Sequence, residues 1–164
     1  MLLLRSLFFT FLLPGTVTVL IPYWIISSRD LPGFADSHSS RYFGVSLIVL
    51  GASGLLWCIW QFFSEGRGTL APVDAPKHLV VRGLYTYVRN PMYVSVATIL
   101  IGETILFLST AIMIEAGIFM VLAYSFVVFY EEPTLRRQFG ESYERYSQTV
   151  GRWIPRRRVG NRSR

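Results

Sequence analysis

The sequence predicts an all-α integral membrane protein, with about four transmembrane helices and a C-terminal amphipathic helix on the cytoplasmic side. Three observations carry this. Of 164 residues, 52% are hydrophobic and only 16% are charged, against about a quarter charged in a soluble domain. Aromatic residues make up 15%, which excludes a disordered chain. The apolar residues also fall in long uncharged runs, and about 20 such residues suffice to cross a bilayer core.

The elements follow in order. Ser6 to Ser28 is 23 residues without a charge, and Tyr42 to Phe63 is 22. Each predicts one span, 6–28 and 42–63. A secretory signal is the other reading of the first run, but Pro14-Gly15 interrupts it and no clean small-residue cleavage site follows. Met92 to Tyr130 is 39 residues whose only charges are Glu103 and Glu115. It has room for two short spans, 92–109 and 111–130, with the turn at Ser109-Thr110. Residues 64–91 form a loop and 131–164 a tail. The whole of 1–164 reads as one domain without internal repeats.

Arginine and lysine orient the spans. The segment between the first two carries Arg29 and Arg41, whereas the 64–91 loop carries Arg67, Lys77, Arg82 and Arg89. The last 34 residues hold nine Arg and four Glu, which is most of the net charge of +6. Four spans with both termini inside put the basic loop and the tail on the cytoplasmic face. Arginines beside a span meet lipid headgroups, so the basic tail predicts membrane lipid rather than nucleic acid as its partner. A single cysteine, Cys58, and two histidines leave no metal site and no intrachain disulfide.

In the second span Gly44, Leu47, Gly51, Gly54 and Cys58 recur at spacings of three and four, a mostly small-residue stripe on one face. Such a stripe favours close helix packing, and it leaves room for a homodimer. Gln61 extends it towards the cytoplasmic end, where it either packs or faces a ligand.

Two places can hold chemistry. Glu103 and Glu115 lie in the apolar hairpin at similar depth near its turn. Intramembrane carboxylates are costly; these predict a neutral pair near the outer surface, or a proton path. The 64–91 loop is the second place, because it mixes glycine, proline, aromatic and basic residues. Pro91 starts the third span, leaving Arg89 and Asn90 at a helix N-terminus, which favours anions. The fourth span ends in Tyr130-Glu131-Glu132-Pro133 on the same side. Two carboxylates, an arginine, an amide and the Tyr93 phenol are thus expected in one interfacial patch. A plain span-end salt bridge, with Arg89 or with Arg136 at i+4 from Glu132, is the competing expectation.

The tail repeats Leu135, Phe139, Tyr143, Tyr146 and Val150 at helical spacing. This predicts one amphipathic helix that lies on the membrane or covers the patch, weakened by Gly140 but not ended there. Trp153-Ile154-Pro155 closes it, with Trp153 as an interface anchor.

Residues 79–93 read LVVRGLYTYVRNPMY, and the hairpin is followed by YEEPTLRRQFGESYERY and RWIPR. In this order the runs resemble the integral-membrane methyltransferases related to isoprenylcysteine carboxyl methyltransferase, and equally the phospholipid methyltransferases. The resemblance spans roughly Gly66 to Arg156. It implies S-adenosylmethionine as cofactor. It further implies Glu131 and Glu132 at the cofactor's cationic end or ribose, and Arg89 and Asn90 near its carboxylate or the acceptor head. Gly83, Tyr85, Pro91 and Tyr93 would shape the pocket wall. Arg89, Asn90 and Glu132 are the expected catalytic residues. The isoprenylcysteine enzymes carry His where this chain has Asn90. The phospholipid enzymes use a Gly-x-Gly cofactor motif, matched literally here by Gly66-Arg67-Gly68.

The expected function is therefore methyl transfer to a lipophilic, lipid or prenylated acceptor at the cytoplasmic membrane interface. The acceptor is a carboxylate, amine or thiol, and the membrane is the plasma (inner) membrane if the source is bacterial. The alternative is a non-enzymatic assembly protein or proton-coupled transporter subunit using Glu103 and Glu115.

Overall fold

The computed structural model describes residues 14–28, 38–65, 79 and 81–156. All regular elements among them are helical. The first, α1, is Thr16–Ser27, so the predicted 6–28 span is described only in its later part. The long α2 is His38–Glu65. After a 3₁₀ turn at Gly83–Thr86 come α3, Pro91–Phe107, and α4, Thr110–Phe126. The chain continues without a break through a π-helical turn at Val127–Glu131 into α5, Glu132–Phe139. Last is α6, Glu141–Thr149.

Among the described residues two helical stretches, not four, are long and apolar enough to cross a membrane: His38–Gln61 and Thr110–Phe139. At 1.5 Å per residue, the 17 residues of α3 reach only about 25 Å, short of a bilayer core of about 30 Å. The described part of α1 is shorter still. Only 28% and 17% of the two long windows are buried, so neither is the core helix of a soluble protein.

The turn in the apolar hairpin falls at Leu108-Ser109, one residue before the Ser109-Thr110 position expected from the sequence. Leu108 takes a left-handed conformation (φ 48°), and Ser109 N–H bonds back to the Thr104 carbonyl at 3.3 Å, closing α3 as a left-handed cap. Ser109 then caps α4, its hydroxyl accepting from the Ile112 amide at 3.3 Å.

Both π-helical turns precede a proline. Thr16–Leu20 leads into Pro22, and Val127–Glu131 leads into Pro133. Proline donates no hydrogen bond and its ring crowds the carbonyl four residues back. A wider turn absorbs both defects without stopping the helix.

The small-residue stripe of α2 is used inside the molecule. A Cβ on Gly44 would lie 2.9 Å from the Gly102 carbonyl oxygen, and one on Gly51 2.7 Å from the Ser95 carbonyl oxygen. The α2 and α3 backbones touch along this seam. The face that was to leave room for a homodimer is occupied by α3. The main core lies here, with Leu55, Ile59, Val96, Ile99, Leu100 and Ile112.

The tail differs from the single helix expected. Gly140, at φ 50° and ψ −125°, ends α5 and starts α6, a backbone conformation glycine reaches at little cost. The predicted apolar face survives the break. Tyr143, Tyr146 and Val150 form a second small core, packed against Leu79, Leu135 and Phe139.

Candidate functional site

The site is built where the end of α2, the start of α3 and the end of α4 meet the tail. Pro91 occupies the first turn of α3 with Asn90 as its N-cap residue, so Arg89 and Asn90 stand at the helix entrance as expected. The π-turn ends at Glu131 and α5 begins at Glu132, and the two acids face different partners.

Glu131 looks towards α3. Its Oε2 accepts from the Tyr93 hydroxyl at 3.3 Å. Around Tyr93 stand Trp153, edge-on with centroids 6.2 Å apart, and Phe119 at 6.4 Å. Glu132 looks towards the tail. Arg152 grips it through both oxygens, Nε to Oε1 at 2.6 Å and Nη2 to Oε2 at 2.9 Å. Arg89 Nη1 lies 3.1 Å from the same Oε1. The Arg89 and Glu132 side chains are only 11% and 8% exposed, so that pair is buried, while Arg152 covers it from a half-buried position. Of the two expected partners, Glu132 takes Arg89; Arg136 instead pairs with Glu144 at 3.4 Å.

The tail is tied to the 3₁₀ turn by backbone as well as by charge. Val88 and Gly151 form an isolated parallel bridge, with Arg89 N–H donating to the Gly151 carbonyl at 2.8 Å. The Asn90 amide donates to the Arg152 carbonyl at 3.1 Å. Arg89 Nη1 donates to the Tyr143 hydroxyl at 3.0 Å, and the Tyr146 hydroxyl to the Tyr85 carbonyl at 2.7 Å. Burial pushes the Tyr143 phenol up, with the Arg89 charge pulling the other way. The bidentate carboxylate holds Arg152 more firmly protonated than usual.

Gly83 and Tyr85 sit on the 3₁₀ turn against the end of α2. The Tyr85 phenol is pushed well above its ordinary range, first by burial and then by Cys58, Glu131, Tyr146 and Tyr93 nearby. It is a neutral hydroxyl at any physiological pH. Two buried polar atoms here have no partner among the described residues, Gln61 Oε1 and Arg89 Nε.

Of the residues the sequence nominated, the structure brings together Gly83, Tyr85, Arg89, Asn90, Pro91, Tyr93, Glu131 and Glu132. Gly66 and Gly68 lie outside the described residues. Glu103 and Glu115 stand apart, in the α3–α4 hairpin within electrostatic reach of each other. Glu103 Oε2 and both Glu115 oxygens are buried without hydrogen-bond partners among the described residues. A groove of about 340 Å³, lined by Thr86, Tyr87, Thr149, Pro155 and Arg156, opens beyond the Val88–Gly151 bridge and includes none of the nominated residues. Sequence reading missed Arg152 and the two tail tyrosines as members of the site. Two adjacent acids facing one predicted arginine left a charge unmatched, and the Arg-Trp-Ile-Pro run was the place to seek its partner.

The sequence model of a family described as phospholipid methyltransferase matches residues 39–142, which covers α2 to α5 and the start of α6. No curated protein matches the chain.

Proposed function

The chain belongs to the phospholipid methyltransferase family, and from that premise we propose that it transfers a methyl group from S-adenosylmethionine to a lipophilic acceptor at the cytoplasmic face of a membrane. The observation that carries the reading is the separation of the two acids. Glu132 is held twice by arginine, while the Glu131 carboxylate, beside Tyr93, has no cation of its own among the described residues.

The residues suit this cofactor. It carries a sulfonium and an ammonium, which a carboxylate among aromatic rings attracts; Glu131, Tyr93 and Trp153 form such a set. It also carries a carboxylate and a nucleoside, and the unpartnered Arg89 Nε and Gln61 Oε1 are a cationic donor and a neutral acceptor in the same region. When bound, it supplies an electrophilic methyl group on positive sulfur. The chain supplies position, because an in-line displacement with a good leaving group needs alignment more than acid or base.

A carboxylate or thiolate acceptor reacts as it stands, whereas an ammonium must first lose a proton. Glu131 is the acceptor of that proton in our reading, since both Glu132 oxygens are committed to arginines. Asn90, bonded to the Arg152 carbonyl, positions the tail over the site. The cofactor is water-soluble and the acceptor greasy, so a site at span ends lets each arrive from its own phase. That placement, with both termini and the 64–91 loop cytoplasmic, follows the arginine distribution. The lipophilic acceptor can be a lipid, a prenylated molecule or a small lipophilic compound. Family membership favours this reading over the transporter one.

The test is calorimetric titration of S-adenosylmethionine into detergent-purified protein, beside Glu131→Gln and Tyr93→Phe. Saturable binding by the parent is expected, weakened about tenfold or more in Glu131→Gln, in line with loss of a charge-assisted contact. A folded parent that binds nothing removes the cofactor and the reading with it.

A further inference from the structure

One buried group has so far been named only as a neutral acceptor. Gln61 is the last residue of the small-residue face of α2, one turn beyond Cys58, and it is 7% exposed. Its Oε1 has no hydrogen-bond partner among the described residues. Buried side-chain amides are normally satisfied, and an exception calls for an explanation.

The wall around the amide is shaped to keep it there. Gly83 stands directly over it at φ +53°, and any Cβ at that position would run into the Gln61 amide group. A positive φ and the absence of a side chain are both required for the loop to come so close. The same turn carries Tyr85, whose buried phenol is within electrostatic reach of Cys58, Glu131 and Tyr93. The amide therefore borders the region that holds the Glu131 carboxylate, beside a neutral hydroxyl and a glycine.

A primary amide presents one acceptor and one donor in a plane. The heterocycle that complements it edge to edge is adenine, whose N6 amino group donates while N7 accepts. We infer that the Gln61 side-chain amide reads the adenine edge of the nucleoside, making Gln61 the base-specificity residue of the site. This rests on the proposed cofactor. It assigns Gln61 a binding role towards the base and none in the methyl transfer itself.

The experiment is calorimetry with S-adenosylhomocysteine and two analogues, one lacking the N6 amino group and one with N7 replaced by carbon. The parent is expected to prefer the adenine compound to each analogue by about tenfold, the equivalent of one hydrogen bond of about 1.4 kcal/mol. Folded Gln61→Leu is expected to bind all three alike, at the affinity of the analogues. Gln61→Glu, of the same shape, keeps an acceptor and loses the donor. It should retain the N6 preference and lose the N7 preference, which tests the inference even if the leucine variant does not fold. A parent-like pattern of preferences in either folded variant overturns the role of Gln61 and leaves the cofactor reading intact. A folded parent that binds none of the three compounds overturns both.

Discussion

At the scale of single residues, the site turns on two neighbouring glutamates with opposite employments. Glu132 satisfies Arg89 and Arg152, and through them fixes Tyr143 and the tail. Removing one member of a buried ion cluster strands the others and costs about 3–5 kcal/mol. Glu132→Ala is therefore expected to lose that much stability, read as a lowered unfolding temperature in detergent. Glu131→Gln keeps the shape and a hydrogen bond to Tyr93, and should stay within about 1 kcal/mol of the parent. Equal stability of Glu132→Ala and the parent would refute the structural role given to the cluster. The meeting of Arg89, Tyr93 and the two acids was legible in the sequence, because uncharged runs fix where spans end and a hairpin returns its ends to one side. The division of labour was not legible. It depends on the π-turn before Pro133, which sets the faces the two acids present, and on Arg152, twenty residues further along the chain.

Between elements, packing decides which glycines matter. The seam of α2 and α3 closes to backbone contact at Gly44, Gly51 and Gly102, whereas Gly117 on α4 has nothing within 4 Å of an added Cβ. Gly102→Val would place its Cβ 2.8 Å from the Gly44 carbonyl oxygen. The overpacking is expected to cost about 1–3 kcal/mol. Gly117→Val, in the same kind of helix and with the same propensity change, should stay within about 0.5 kcal/mol. Thermal unfolding of the pair isolates packing from propensity, and equal losses would mean that the seam yields. The stripe itself was plain from its spacing, but its partner was not, since periodicity marks a face without saying what covers it. Gly140 illustrates the opposite failure. The apolar pattern runs unbroken from Leu135 to Val150 and so reads as one helix. Two short helices joined at a positive-φ glycine keep the same residues on one face.

For the whole molecule, the decisive quantity is the apolar surface left uncovered. On α2, Tyr42, Val49, Leu56, Trp57 and Trp60 are more than half exposed, on α4 so are Met113, Ile118, Val121 and Leu122, and so is Phe129 in the π-helical turn that follows. A water-soluble monomer rarely carries contiguous apolar patches beyond a few hundred Å²; lipid covers such faces without cost. Among the described residues two helices are long enough to cross, so the arginine distribution must supply the rest of the topology, and it can be checked chemically. The single native cysteine, Cys58, is buried and serves as an unreactive background for labelling. Thr110, at the hairpin turn, is exposed, and Tyr87, beside the site, is 64% exposed. In intact cells Thr110→Cys should react with a membrane-impermeant maleimide, while Tyr87→Cys should react only after permeabilisation. That result puts the hairpin turn outside and the site inside, with α3 and α4 both crossing despite the shortness of α3. Protection of both positions in intact cells would instead mean that the hairpin enters the bilayer and returns without crossing. The site would then still face the cytoplasm, but the second half of the chain would span nothing, and the arginine count alone would no longer orient it.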